Sequence, residues 1–298
     1  MSFDLEAYLT ERRRAVDEAL ERHLPPADAY PPVIHEAMRY SMFAGGKRLR
    51  PILVIAGTEA VGGQMADVMP TACAFELIHT YSLIHDDLPA MDDDDFRRGR
   101  PTSHKVFGEA VAILAGDALL THAFALVAAN AALGKAPLDA FPRVLAEIAE
   151  AAGTAGMIGG QVVDVESEGR TVPTETLEYI HTRKTGALIR AALRAGGILA
   201  GASDAALAAL TGYGERLGLT FQIVDDILDV EGSLETLGKT AGSDRRKRKV
   251  TYPDHHGLAA SKARAAALTR EAHAALGPLG AAGAPLAALA DFVLNRKA

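Results

Sequence analysis

The chain has 298 residues, of which 49% are hydrophobic and 23% charged, enough apolar material for a sizeable core and too much for a disordered chain. Its net charge of −7 argues against a protein that coats nucleic acid, which would carry a basic footprint. The single cysteine, Cys73 in the apolar stretch TACAFELIHT, excludes an internal disulfide and a thiolate zinc site and reads as a buried, inert thiol.

The first segment, MSFDLEAYLTERRRAVDEAL, is charged from its fourth residue and has no uninterrupted apolar core. No signal peptide is expected there, and the protein is expected to be cytoplasmic. Breaks follow at Pro25 to Pro32, Gly45 and Gly46, Gly62 and Gly63, Gly134 to Pro137, Gly169 to Pro173, Gly201 to Asp204, and Gly232 to Pro253. The segments between them read with helical period, and no alternating Val/Ile/Thr-rich run stands out as a strand. The expectation is an all-α chain, a single domain over 1–298 of roughly ten or more helices around a central cavity, without a solenoid repeat.

After the glycine pair, GGKRLRP supplies Lys47, Arg48 and Arg50, cations suited to phosphate oxygens. Next, Leu77, Tyr81, Ile84 and Leu88 recur at i, i+4, i+7 and i+11, an apolar stripe, with His79, Ser82 and Asp86 on another face. That helix runs into HDDLPAMDDDDFRRGR, six aspartates in ten residues followed by Arg97 and Arg98. Two unit charges ~4 Å apart repel by about 4 kcal/mol at an effective dielectric near 20, so the cluster calls for cations, and divalent ions are the natural candidates. Asp86 and Asp92 stand about 240° apart on a regular helix. Pro89, which clashes with the carbonyl of His85, predicts a kink or end that lets Asp92 turn back. An EF-hand loop fails, because Phe96 stands where an acid or amide ligand belongs.

The run Ala110 to Ala129 approaches the length of a membrane span, but Asp117 and His122 fall inside it, so a buried bundle helix is expected. RKTGALIR then supplies Lys184 and Thr185. In FQIVDDILDVEG, Asp225 and Asp229 share a helix face with Asp226 beside them. Taken alone, this second cluster reads equally well as a solvated face. Two clusters, each ending an apolar helix and flanked by cations, are able to hold magnesium between them together with substrate phosphates. LGKTAGSDRRKRK adds Lys239 and five consecutive basic residues from Arg245 to Lys249, either solvated or part of a segment near a bound anion.

GGKRLRP, LIHTYSLIHDDLPAMDDDDFRRGRPTSH, GGQVVDV, RKTGALI, FQIVDDILD and GKTAGSD…TYP, in that order from Gly45 to Pro253, resemble the successive motifs of trans-prenyl diphosphate synthases, with the spacing of the bacterial farnesyl diphosphate synthase type. The resemblance implies an isoprenoid synthase fold and a homodimer that joins isopentenyl diphosphate to dimethylallyl and geranyl diphosphates. It implies that Asp86, Asp92 and Asp225 bind three magnesium ions, and that Arg97, Lys184 and Lys239 contact the allylic diphosphate. It further implies that Lys47, Arg50, His79 and Arg98 bind isopentenyl diphosphate, that Thr185 and Gln222 face the reacting carbons, and that the departing diphosphate takes the proton. Tyr81, five residues before Asp86, is expected to floor the product tunnel and stop growth at C15, although its place in the stripe also fits plain core.

Two places depart from the family pattern: His122, where Leu is commoner, and the Asp254, His255, His256 run after TYP. A geranylgeranyl diphosphate synthase is the alternative enzyme. A class I terpene cyclase would want Ser or Thr in place of Asp229 and an acid in place of Ser233. An inert subunit of a prenyltransferase heteromer would be expected to have lost aspartates.

Overall fold

Asp4 starts the first helix, its carboxylate accepting the Ala7 N–H at 3.0 Å, as an N-cap residue does. The computed structural model describes residues 3–231 and 251–296. Its helices are α1 (Leu5–His23), α2 (Pro32–Met42), α3 (Leu49–Glu59), α4 (Met65–Asp86), α5 (Ser103–Phe107), α6 (Glu109–Ala132), α7 (Ala140–Ala152), α8 (Met157–Ser167), α9 (Thr174–Ile180), a π-helical turn (His181–Gly186), α10 (Ala187–Leu199), α11 (Asp204–Glu231), α12 (Tyr252–His256), α13 (Leu258–Ala275) and α14 (Ala284–Asn295). The all-α expectation holds. Lys239 and the run Arg245 to Lys249 lie outside the described residues.

The core forms where the apolar faces of α3, α4, α10 and α11 meet. Eight consecutive residues of α3, Pro51 to Thr58, are buried, and so is nearly all of α10, the pattern of helices covered on every side. The predicted stripe of Leu77, Tyr81, Ile84 and Leu88 is buried throughout. Cys73 is fully buried, and burial pushes its thiol up to about 12, which leaves it unreactive.

The apolar segment at 110–129 belongs to α6, which packs along α4 through Ala112, Ala115, Leu119 and Ala123. Among the described residues, α6 and the stretch Gly277–Asn295 are long and apolar enough to cross a membrane, yet both pack within the helical bundle. His122 has a structural use: its Nε2 donates to the His23 carbonyl at 2.8 Å, satisfying an oxygen at the C-terminal end of α1 that has no partner within the helix.

One small β element interrupts the helices. A two-stranded antiparallel hairpin is present, β1 (Phe96–Arg97) paired with β2 (Arg100–Pro101). Two residues per strand are too few to show alternation, so hydropathy periodicity could not reveal it.

Candidate active site

Helix α4 ends where Pro89 requires. Asp87 caps it, and the chain turns so that the Asp92 N–H bonds the Asp86 carbonyl at 2.8 Å. The Asp93 and Asp94 N–H groups bond back to Leu88 and Asp87 at 3.1 and 3.2 Å. Asp92 therefore lies against Asp86, as the spacing argument expects.

Against α4 at Glu76 and His79 a cavity is lined by Lys47, Arg50, His79 and Arg98, with Arg13, Arg48, Glu76, Phe221 and Arg296. All four residues expected to take isopentenyl diphosphate thus share one wall. Gly45 and Gly46 have φ of 93° and 134°, conformations that suit glycine. The Arg98 guanidinium lies against them, bonded to the Gly45 carbonyl, and a Cβ on Gly46 would come within 2.6 Å of it.

The electrostatics of this cavity point one way. Burial lowers the pKa of Lys47, and Arg296 adds to the effect while Asp225 opposes it. Burial lowers Arg50 to about 10 and also lowers Arg98 and Arg296. His79 is held well below its ordinary value by burial and by Arg50, Arg98, Arg97 and Arg48, so it is neutral at pH 7. In all five groups burial is the chief cause: cations and a histidine stripped of solvation in one cavity, which a bound polyanion would compensate.

Helix α11 brings the second aspartate motif to the same cavity. Asp225, one turn beyond Phe221, is ion-paired to Arg296, which also donates to the Phe221 carbonyl at 2.8 Å and lies 3.8 Å over its ring. Asp226 turns inward instead: it is buried, accepting the Tyr252 N–H at 2.8 Å and the Gln222 amide at 2.9 Å, with His181 Nε2 at 3.4 Å. The Thr185 hydroxyl donates to Gln222 Oε1 at 3.0 Å, so Thr185, Gln222 and Asp226 form one hydrogen-bonded row. Asp254 also has a structural reason. It completes a capping box with Thr251, accepting that residue's N–H and hydroxyl at 3.1 and 2.7 Å, while His256 packs 4.5 Å from the Tyr252 ring.

Lys184 and Thr185 sit in the π-helical turn, a feature common at functional sites. The turn lies on α8 at Gly160, where a Cβ would meet the Lys184 backbone nitrogen at 2.3 Å. Lys184 Nζ bonds Asp164 at 2.7 Å. Arg97, expected on the allylic diphosphate, is bound to buried Asp87, its Nε donating to both carboxylate oxygens at 2.7 and 2.9 Å and its Nη2 lying 2.5 Å from one of them; burial lowers its pKa, but the Asp87 bond and charge outweigh that and raise it. Arg48 lines the cavity too, but its guanidinium is held by carboxylates. It is clamped between Asp17 at 2.7 Å and Glu76 at 3.0 Å and is 3% exposed.

Among the described residues no three His, Cys, Asp or Glu side chains already stand as a metal cluster. The donor set nevertheless suits magnesium: Asp86, Asp92 and Asp225 offer only oxygen, and Asp225 acts on Lys47 and Arg50 of the cationic cavity. Asp164 and Arg296 were not singled out from the sequence. Asp164 lies within the quoted motif GGQVVDV, whereas Arg296 reaches Asp225 from 71 residues away with no local signal.

Tyr81 is 5% exposed and its hydroxyl is buried without a hydrogen-bond partner among the described residues. Burial and the Asp86 charge push it up to about 12. Its ring meets His85 edge-on at 5.7 Å.

A model of polyprenyl synthetases matches residues 31–275. The chain is 46% identical over 296 residues to the geranylgeranyl diphosphate synthase of Cyanophora paradoxa, covering 99% of this chain and 97% of that one. It is 45% identical over 292 residues to the farnesyl diphosphate synthase of Geobacillus stearothermophilus, covering 98% of each. The solved geranylgeranyl pyrophosphate synthetase of Pyrococcus horikoshii superposes with a TM-score of 0.89 at 34% identity, again over 98% of both chains.

Proposed function

The chain belongs to the polyprenyl synthetase family, and from that premise we propose that it is a magnesium-dependent prenyltransferase that condenses isopentenyl diphosphate with dimethylallyl and then geranyl diphosphate, releasing farnesyl diphosphate. The observation that carries the condensation is the cationic cavity shared by Lys47, Arg50, His79 and Arg98, bordered by Asp225. It suits a diphosphate bound with its alkene directed at a second, metal-held diphosphate.

Magnesium held by Asp86, Asp92 and Asp225 would neutralise the allylic diphosphate as it leaves. The chain's own residues bind and orient. Lys47, Arg50 and Arg98 fix the isopentenyl diphosphate. Lys184, set by Asp164, offers a cation to the leaving group, with Arg97 beside the first aspartate motif. The allylic C–O bond breaks with its electron pair going to the diphosphate, and the alkene π pair forms the new C–C bond. Thr185 and Gln222, tied to each other and to Asp226, present oxygen lone pairs to the developing cation without a formal base. The proton lost from the new cation passes to the released diphosphate.

The C15 limit rests on Tyr81, buried about 7.5 Å along α4 from Asp86. A C20 product is the second reading, supported by relatives named as geranylgeranyl synthases. A homodimer fits the exposed apolar residues Ile113, Leu114 and Phe124 on α6. The test of the condensation is label from radioactive isopentenyl diphosphate appearing in acid-labile, solvent-extractable product with dimethylallyl diphosphate and magnesium. Equal incorporation in excess chelator, or none in either case, would refute the proposal.

A further inference from the structure

Adjacent residues of the π-helical turn serve different places: Lys184 bonds Asp164 on α8, whereas Arg183 lines a second cavity between the turn, α10, α11 and α13. We infer that this second cavity is a binding site for a small multivalent oxyanion, the phosphate or diphosphate class, formed by Arg183, Arg190, Arg216 and Arg264.

Four arginines line it against two carboxylates, Glu215 and Glu271, an excess of positive charge in a protein whose net charge is −7. Arg216 also donates to the Gly212 carbonyl at 3.3 Å and Arg264 to Tyr252, but most of the ion pairs to the glutamates are long. Arg216 lies 3.2 Å from Glu215 and 3.5 Å from Glu271, Arg264 lies 3.5 Å from Glu271, and Arg190 lies 3.9 Å from Glu215 and 3.7 Å from Glu150. The Arg97–Asp87 pair, with Nε at 2.7 and 2.9 Å and Nη2 at 2.5 Å from the carboxylate, shows a tighter ion pair in the same molecule. Arg183 has no carboxylate partner among the described residues and lies 5.7 Å over the Tyr179 ring. The Nε of Arg190 is buried with no hydrogen-bond partner, and such an orphan donor is stabilised by an acceptor.

A planar guanidinium takes an oxyanion in bidentate fashion, and several converging on one cavity favour an anion of more than one charge. Leu219 and Leu268 give the cavity an apolar side, which admits an organic diphosphate as well as the free anion. Nothing in this inference depends on catalysis.

Calorimetric titration of the full chain in chelator, with inorganic pyrophosphate in one arm and isopentenyl diphosphate in the other, tests it. Wild type should show two classes of site with pyrophosphate. The double variant Arg183→Gln, Arg264→Gln should weaken one class about tenfold or more, and Lys47→Gln, Arg50→Gln should weaken the other. A second class in the isopentenyl diphosphate arm as well would assign the site to any diphosphate head group; its absence there would assign it to the free anion. Should the double variant unfold, Arg183→Gln alone, which removes only a ring contact, must weaken the same class. A single class in wild type, or a second class untouched by Arg183→Gln, overturns the inference.

Discussion

Replacing Tyr81 separates its role as a wall from its role as core. Tyr81→Ala removes a buried ring, and emptying a core of an aromatic ring costs about 3–5 kcal/mol. The hydroxyl of Tyr81 has no partner among the described residues, however, and leaving such a group buried costs about 1–3 kcal/mol, so the net loss should be about 2 kcal/mol. In a chain of this size that is a fall of only a few degrees in melting temperature, and the variant stays folded. Tyr81→Phe keeps the ring and removes the orphan oxygen, so it should be more stable than wild type by about 1 kcal/mol. If the ring closes the product tunnel, Phe leaves the product at C15 and Ala shifts it to C20 or longer, with condensation retained. Reversed-phase chromatography of dephosphorylated products, beside thermal melts of the three proteins, reads both effects. An Ala variant that turns over normally and still stops at C15, or a Phe variant less stable than wild type, would refute the reasoning.

Arg50→Gln should raise KM for isopentenyl diphosphate by roughly 10- to 100-fold, the loss of a charge-assisted interaction of about 1.5–3 kcal/mol, while KM for the allylic substrate changes little in steady-state kinetics. Arg48→Met should lower unfolding stability by about 3 kcal/mol or more, because Glu76, 3% exposed in its side chain, loses the cation that compensates its burial; urea titration measures it. His181 is lowered to about 4 by burial, with Asp164 opposing. Below about pH 6.5 the unfolded chain takes up a proton that the folded one resists, so stability is present above that pH and is lost as pH falls toward 4, by about 3 kcal/mol from this group. Urea titrations at pH 7, 5.5 and 4.5 should show a shallower loss in His181→Gln than in wild type.

Helix period and turn chemistry made much of the bundle readable. The stripe on α4 is buried as its spacing predicts, and Pro89 turns Asp92 back onto Asp86. The four residues assigned to isopentenyl diphosphate line one cavity because two glycines with positive φ let Arg98 approach the Lys47 segment. What escaped the sequence is set by tertiary contact. Arg48 looks like its neighbours Lys47 and Arg50, yet the left-handed backbone at φ 51° sends it inward to Asp17 and Glu76. Asp226 differs from Asp225 only in helix angle, and that angle makes it an anchor for Gln222 and Tyr252. The pairing of Arg296 with Asp225 joins distant parts of the chain, which no local pattern encodes.

The product made by the wild-type chain from isopentenyl and dimethylallyl diphosphates with magnesium tests the whole account most directly. Farnesyl diphosphate as the main product is the predicted result. A profile dominated by C20, or no condensation at all from folded protein, would contradict it.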